Sequence, residues 1–175
     1  MCILVIDLSY QSGNIFTIDQ TGKILEACAS LDYPALPALA HNLVEKTQRE
    51  LIAVSIPKGP GAFTPLRLAA SIATALALAK KVPLITYPSF LGFLPETGIS
   101  GRIHLDARSG LAYQSDFLIE EEEVFFSLPE LVKIDLPFTQ TANRNRLGFF
   151  IGSLYRKDAF TPLDTLKIDY VKEPR

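Results

Sequence analysis

The chain has 175 residues, of which 48% are apolar and 21% are charged, and 17 basic against 19 acidic residues give a net charge of −2. This composition excludes global disorder, and the length suits one domain or two compact lobes that share a core. Because the charges balance, bulk charge alone is not expected to hold nucleic acid.

The sequence offers few signs of a disulfide scaffold, a metal site, a signal peptide or a membrane span. Cys2 and Cys28 are too few for a disulfide scaffold or a cysteine-rich zinc site, and the isolated His41 and His104 make no metal-binding pair. The apolar N-terminal run lacks a basic segment and reaches a carboxylate at Asp7, which favours a strand over a signal peptide. No apolar stretch approaches the roughly 20 residues of a membrane span. We therefore expect a soluble, cytoplasmic protein with no metal site and no membrane contact.

The first half of the chain predicts three strands and then alternating helices and strands. Apolar runs separated by short turns indicate an antiparallel meander, whose third strand can lie at a sheet edge. Apolar residues at helical spacing then predict an amphipathic helix, and a second helix follows a Gly-rich loop. The predicted strands are Cys2–Leu8, Asn14–Asp19, Lys23–Ser30, Leu51–Ile56 (parallel to the first) and Val82–Thr86, and the predicted helices are Ala35–Glu50 and Thr64–Lys80.

The second half opens with a helical turn at Pro88–Leu94 and a hairpin, and then gives weaker signals. The hairpin is formed by Arg102–Asp106 and Leu111–Ile119, and the acidic run Glu120–Glu123 is read as a solvated turn. The remaining predictions are a short helix at Leu128–Val132 and strands at Lys133–Phe138, Leu147–Ile151 and Leu166–Val171. This order of elements predicts an α/β fold with a mixed sheet. The Pro- and Gly-rich segment Tyr87–Gly101 divides it into lobes of residues 1–87 and 88–175.

The loop Gly59–Thr64 (GPGAFT) is the most unusual segment of the sequence. Its glycines permit close approach of the backbone to a neighbour, and a helix N-terminus attracts anions, so one interpretation is a phosphate cradle. The other is a tight strand-to-helix turn, in which Thr64 caps the helix and Pro65 takes the first helical position. A P-loop is excluded because no Gly-Lys-Ser/Thr follows.

The helix after this loop is apolar nearly all round, since only Arg67, Ser71 and Thr74 are polar between Leu66 and Ala79. Such a helix must be covered on more than one side. One side can pack on the sheet, and the other is covered either by the first helix or by a partner protein. The small residues that would let a partner helix come close are Ala69, Ala70, Ala73, Ala77 and Ala79.

Charged residues offer two candidate sites. Asp7 ends the first strand, and Asp106 and Arg108 lie in the hairpin; they form either an Asp–Arg pair that fastens a turn or a carboxylate pair that acts on phosphate or metal. Residues 139–175 carry seven basic and four acidic groups (net +3), and could touch a phosphate backbone in a larger assembly or form a solvated surface. The basic residues concerned are Arg144, Arg146, Arg156, Lys157 and Lys172. No credible catalytic set is present, so no catalytic residue is predicted.

Three ordered segments carry a family resemblance. They are Ile3–Ser9 (ILVIDLS), Gly59–Arg67 (GPGAFTPLR) and Leu105–Tyr113 (LDARSGLAY), with a weaker match at Tyr170–Lys172. They resemble, in that order, the ILAIDTS strand, the GPGSFTGLR signature, the IDARxGEVY hairpin and the closing YLR of the bacterial TsaB family, also called YeaZ. Ala62 and Pro65 stand where that signature has Ser and Gly, so the chain reads as a short, diverged member.

The resemblance implies an actin-like ATPase (ASKHA) fold with RNase-H-like lobes, the second of them shortened. It also implies a non-catalytic partner of TsaD, the enzyme that transfers a threonylcarbamoyl group to the adenosine next to the tRNA anticodon. Expected partners are a TsaD-like protein in a heterodimer, a TsaE-like ATPase in a larger complex, a second copy of the chain, and tRNA only through the complex. The chain would have no cofactor of its own, and ATP or ADP at the partner interface is left open.

The resemblance also assigns residues. In that family the two helices of the first lobe pack against the equivalent helices of the partner, which here predicts an interface of Leu36, Leu39, Leu43, Phe63, Leu66, Ala69, Ala70, Ala73 and Ala77. The signature-loop residues are Gly59, Pro60, Gly61, Thr64 and Arg67. Asp7, Asp106 and Arg108 are predicted to form a structural or vestigial phosphate site.

Two alternatives remain open. A stand-alone actin-like ATPase or kinase would use Asp7 and Asp106 to organise metal and phosphate between the lobes. Against it, the turn after Asp7 lacks a glycine next to the acid. The other alternative is a homodimer without TsaD contact, in which the same helices pair symmetrically.

Overall fold

The computed structural model of the chain describes residues 1–9, 13–29, 32–134, 142–169 and 171. These residues fold into two β-sheets and three α-helices, which confirms the α/β class with mixed strands. None of the helices within these ranges has the length and apolar character needed to cross a membrane.

The first sheet has five strands: β1 (Cys2–Asp7), β2 (Asn14–Ile18), β3 (Ile24–Ala29), β4 (Leu51–Gly59) and β5 (Leu84–Pro88). Their order across the sheet is β3-β2-β1-β4-β5. The first three form an antiparallel meander, and β4 and β5 run parallel to β1 and to each other. The predicted meander, its edge strand and the parallel fourth strand are therefore confirmed.

The central strand β1 is buried on both faces, as its continuous apolar run predicts. Its side chains alternate between two cores: Leu4 and Ile6 enter one, whereas Ile3 and Val5 enter the other. The sheet thus separates two layers of the protein.

Two helices, α1 (Leu36–Thr47) and α2 (Phe63–Lys80), cover one face of the first sheet. The first lies over β1, β2 and β3, and the second lies over β4, β1 and β5. Both were predicted with boundaries within three residues, because their apolar residues recur at helical spacing. A short 3₁₀ helix, Tyr33–Ala35, leads into α1.

The second sheet contains β6 (Ser100–Arg108), β7 (Leu111–Glu120), β8 (Glu123–Phe126) and β9 (Glu130–Lys133). The predicted hairpin is confirmed as β6 and β7, and the acidic run turns into β8. The predicted helix at Leu128–Val132 is wrong, because the backbone there pairs antiparallel with the first residues of β7 and forms β9. This long-range pairing outweighs the weak local preference.

A third helix, α3 (Arg144–Arg156), replaces the strand that was predicted at Leu147–Ile151. Its buried apolar residues Leu147, Phe150 and Ile151 follow helical spacing, whereas Phe149 points to solvent. Together with β6 and β7 it packs on the face of the first sheet opposite α1 and α2.

Two further predicted strands fare differently. A strand was predicted at Leu166–Val171. The described residues Leu166–Asp169 are not in a strand, and a backbone bond from the Asp169 N–H to the Lys58 carbonyl (2.6 Å) joins them to β4. In the strand predicted at Lys133–Phe138, Lys133 ends β9 and residues 135–138 lie outside the described residues.

The segment Tyr87–Gly101, predicted as a boundary, contributes to the core between the layers. It holds the predicted helical turn, as a 3₁₀ helix at Ser89–Phe93. Tyr87, Phe90 and Leu94 are fully buried and pack with side chains from both sheets and α3. The division into lobes of residues 1–87 and 88–175 remains a prediction.

Candidate functional site

A cleft of about 430 Å³ brings together two of the motifs that the sequence singled out. The loop residues from Gly61 to Pro65 form one side, and Asp106, Ala107 and Arg108 of the hairpin form the other, with Tyr33 and Tyr113 between them. Ser9 and Leu8, from the end of the first motif, line an adjoining recess. Segments about 100 residues apart in the sequence therefore converge on one surface depression.

The loop itself is a tight strand-to-helix turn. A cis peptide bond joins Gly59 to Pro60, and α2 begins at Phe63, one residue earlier than predicted. Ala62 is the N-cap residue and no side chain caps the helix, so the predicted cap by Thr64 is wrong. Pro65 occupies the third helical position, where a missing N–H is tolerated because the first intrahelical bond is donated by Leu66 N–H to the Ala62 carbonyl (3.2 Å).

The glycines of this loop make room for the chain's own backbone. Gly59 has a φ of +117°, and a Cβ there would clash with the carbonyl oxygen of Asp169. A Cβ on Gly61 would lie 3.1 Å from the carbonyl oxygen of Ser9. These contacts favour the tight-turn interpretation of the loop over the phosphate cradle.

The hairpin side of the cleft is fastened by a local hydrogen bond. The backbone N–H of Arg108 donates to the carboxylate Oδ1 of Asp106 at 2.7 Å, next to a bulge in the β6–β7 pairing. Arg108 and Ser109 both have positive φ angles. Asp106 therefore fastens the turn through the backbone N–H of Arg108, and the Arg108 side chain is exposed at the cleft, so the predicted pairing of the two charged side chains stays a prediction.

Asp7 does not belong to this cleft. Its carboxylate is buried and accepts hydrogen bonds from the Ser9 N–H (3.0 Å) and hydroxyl (2.5 Å) at Oδ1 and from the Tyr87 hydroxyl (3.1 Å) at Oδ2. Burial raises the pKa of the Asp7 carboxyl above its ordinary value, although the bonds from Ser9 and Tyr87 act in the opposite direction. The same burial, with the nearby Asp7 charge, raises the pKa of Tyr87 well above its ordinary value.

Sequence reasoning missed Tyr87 as the partner of Asp7. Eighty positions separate the two residues, and only the placement of β5 in the sheet brings them together. The one available signal was a tyrosine directly after the predicted strand Val82–Thr86, since a buried tyrosine normally finds a hydrogen-bond partner for its hydroxyl.

Most of the predicted interface residues are inside the protein. Six of the nine are buried against the chain's own sheet: Leu36, Leu43, Leu66, Ala69, Ala73 and Ala77. As surface residues that meet a partner, these six predictions are wrong, because the apolar spacing that identifies a helix also marks the side that packs on its own sheet. Leu39 and Ala70 are half-buried, and Phe63 is half exposed.

The outward face of α2 consists of different residues. We define it as Phe63, Arg67, Ser71, Ala75 and Leu78, all of which are exposed. The guanidinium of Arg67 lies 3.9 Å from the centre of the Phe63 ring. Phe63 (50% exposed) and Leu78 (61% exposed) lie at the two ends of the helix, and Arg67 and the small side chains of Ser71 and Ala75 lie between them.

The basic residues of the C-terminal part hold this part of the chain to the rest. Arg144 Nε donates to the Asn14 side-chain oxygen (2.8 Å), and Arg146 donates to the Pro95 and Gly98 carbonyls. Arg156 bonds the Gln20 carbonyl and Glu122, and Lys157 pairs with Glu123 at 2.7 Å. These four side chains are engaged within the chain, and Lys172 lies outside the described residues.

Metal-ligating side chains do not gather anywhere in the described ranges: no group of three or more His, Cys, Asp or Glu residues is close enough to hold an ion there.

Comparison with known proteins gives a consistent result. The family model of TsaD, tRNA N6-adenosine threonylcarbamoyltransferase, matches residues 35–125. A stretch of 38 residues is 53% identical to the tRNA threonylcarbamoyladenosine biosynthesis protein TsaB of Buchnera aphidicola subsp. Acyrthosiphon pisum (strain APS). That stretch is 22% of this chain and spans 17% of the length of the relative.

Solved structures match over nearly the whole chain. YeaZ from Pseudomonas aeruginosa has a TM-score of 0.75 at 16% identity, over 97% of this chain and 99% of the other. A protein with similarity to peptidase YEAZ from Pseudomonas aeruginosa has a TM-score of 0.79 at 15% identity, over 98% and 99%. The architecture is thus of the actin-like (ASKHA) type that the sequence motifs implied. Because the family model of TsaD, tRNA N6-adenosine threonylcarbamoyltransferase, covers residues 35–125, just over half of the chain, the chain belongs to the TsaD family.

Proposed function

We propose that this protein is a non-catalytic subunit that pairs with a TsaD-like enzyme and supports threonylcarbamoylation of the adenosine next to the tRNA anticodon. Family membership supports the pathway, since the curated relative is named for threonylcarbamoyladenosine biosynthesis. The outward face of α2 supports pairing with the TsaD-like enzyme through helices.

The outward face of α2 is the single observation that carries the pairing. Two large apolar side chains, Phe63 and Leu78, are at least half exposed on it. Ser71 and Ala75 between them are short enough to let a second helix approach closely. A partner helix that covers this face would remove both apolar side chains from water, which favours association.

The signature-loop cleft adjoins this face, because Phe63 belongs to both. A partner helix that covers Phe63 would therefore also reach the mouth of the cleft and the Arg108 guanidinium. Arg108 is a fixed positive charge and would attract an anionic group there. A nucleotide phosphate at such a composite site, with groups from both proteins, would agree with an ATP or ADP held at the interface and not by this chain alone.

The test is size-exclusion chromatography with light scattering on the chain alone, and on the chain mixed with the TsaD-like protein of the same organism. We expect the mixture to give a 1:1 complex, and threonylcarbamoylation of tRNA by the TsaD-like protein to depend on that complex. A homodimer that persists in the mixture, or a monomer that ignores the TsaD-like protein, would contradict the proposal. A complex whose formation leaves threonylcarbamoylation unchanged would contradict the supporting role.

A further inference from the structure

The chain does not end at α3 but returns across the molecule to the signature loop. Residues 159–169, which we name the C-terminal strap, first run beside β5. There the Thr161 N–H donates to the Leu84 carbonyl (2.7 Å), and the Thr161 and Thr86 hydroxyls lie 2.8 Å apart. These bonds add the strap to the outer edge of the first sheet.

Apolar contacts hold the middle of the strap. Leu163 and Leu166 are partly buried and pack against the core that α1 and α2 form with the first sheet. The 3₁₀ helix Leu163–Thr165 between them is closed by a bond from the Thr165 N–H to the Pro162 carbonyl (3.1 Å). The strap therefore lies on the same side of the sheet as α2.

The far end of the strap contacts the start of the signature loop. Asp169 donates its N–H to the Lys58 carbonyl (2.6 Å), and its carboxylate lies 3.3 Å from the Lys58 ammonium. Its carbonyl oxygen occupies the space that a side chain on Gly59 would need. Three different groups of Asp169 thus contact Lys58 and Gly59, the last two residues of β4, from which the loop leads into α2.

We propose that the C-terminal strap holds the signature loop and the first turn of α2 in place through the backbone bond from the Asp169 N–H to the Lys58 carbonyl, and that this bond, not the Asp169–Lys58 ion pair, keeps the partner-binding surface in position. The partner-binding half of this inference rests on the proposed function, whereas the loop-holding half does not. Phe63, the first residue of α2, lies four residues after Gly59, so a loose loop would let the exposed Phe63 ring move away from its place on the outward face.

Matched variants of the full chain separate the backbone anchor from the ion pair. Asp169→Pro removes both the N–H donor and the carboxylate, whereas Asp169→Ala keeps the N–H and removes only the ion pair. Because both members of that ion pair are well exposed, its loss alone should have little effect. Hydrogen–deuterium exchange of the segment 58–66 reports on the loop, and titration with the TsaD-like protein reports on partner binding.

A second pair of variants protects the test against a variant that fails to fold. Leu163→Ser combined with Leu166→Ser releases the middle of the strap. Leu128→Ser is its control, because Leu128 is 88% exposed and lies away from the strap's contacts. Circular dichroism identifies any variant that is unfolded. If Asp169→Pro or the double serine variant is unfolded, the other of the two tests the proposal together with its own control.

We expect exchange in the segment 58–66 to rise about tenfold in Asp169→Pro and in the double serine variant, and partner affinity to fall by a similar factor. Asp169→Ala and Leu128→Ser should behave as the wild type. Unchanged exchange in both released variants would overturn the inference. Faster exchange with unchanged affinity for the TsaD-like protein would show that the strap does not position the partner-binding surface. If the wild type binds no TsaD-like protein, the proposed function fails, and exchange alone then supports or overturns the holding of the loop.

Discussion

At the scale of single residues, the most unusual environment is that of Asp7. Its carboxylate is buried at the end of the central strand and accepts bonds from Ser9 and Tyr87, and no basic side chain within the described part of the chain pairs with it. Burial disfavours the ionised form and raises the pKa of the carboxyl. Asp7 is thus a group whose ionisation opposes folding.

This environment predicts a pH dependence of stability. The folded chain binds the Asp7 proton more tightly than the unfolded chain does. The stabilising contribution of protonated Asp7 to the free energy of unfolding is therefore fully present below the ordinary pKa of 3.8. It is lost as the pH rises through the raised pKa. Asp7→Asn stays neutral, so its free energy of unfolding relative to the wild type should increase as the pH rises from about 4 to 8. Urea denaturation at several pH values measures the difference.

Asp116→Asn is the matched control for this prediction. Asp116 is exposed, and the hydrogen bond from Arg102 lowers the pKa of its carboxyl. The ionised Asp116 carboxylate therefore contributes to stability above its ordinary pKa, and this contribution is lost as the pH falls through its lowered pKa in the folded chain. If Asp7→Asn and the wild type keep a constant difference in unfolding free energy across the pH range, the account of Asp7 is wrong.

At the scale of elements, α3 shows how glycines set the distance between two parts of the chain. Gly148 and Gly152 face the turn that contains Gly22, between β2 and β3. A Cβ on Gly148 would clash with the carbonyl oxygen of Gly22, and a Cβ on Gly152 would lie 2.8 Å from the Gly22 nitrogen. The helix can dock on this turn only because both positions lack a side chain.

Gly148→Ala tests this docking with an effect of defined sign. In a helix without tertiary contacts, alanine in place of glycine stabilises by about 0.5–1 kcal/mol. Here the clash with the Gly22 backbone should outweigh that gain and lower the free energy of unfolding by about 1–3 kcal/mol. Asn145→Ala, on an exposed position of the same helix, should be neutral or slightly stabilising. Thermal or chemical denaturation distinguishes the two, and a stabilised Gly148→Ala variant would refute the close docking.

The same glycines explain why α3 was not predicted from the sequence. They lower helix propensity within an apolar stretch, so the short run from Leu147 to Ile151 reads as a strand. By contrast, α1 and α2 contain no interior glycine, and their longer apolar periodicity identified them. The strand β9 was missed for another reason: its pairing with β7 is a long-range contact with no local signature.

At the scale of the whole molecule, one sheet with different layers on its two faces organises the protein. The motifs of the sequence predicted this fold, because they fall at the end of β1, at the entry to α2 and in the β6–β7 hairpin. They did not predict the cleft in which the loop meets the hairpin, because only the placement of the second sheet brings these distant segments together. What they could not supply was the orientation of α2, since its apolar character does not distinguish the buried side of the helix from its outward face.

Calorimetric titration of the TsaD-like partner into Ser71→Arg and Ser100→Arg measures whether that partner binds to the outward face of α2, as we propose. The two variants carry the same substitution at exposed positions, the first on α2 and the second on β6, which belongs to the opposite layer. Both should fold, because neither side chain is buried. Ser71→Arg should weaken binding about a hundredfold or more, since it places an unpaired charge in the interface, and Ser100→Arg should bind as the wild type does. Equal binding by both variants and the wild type would contradict the claim.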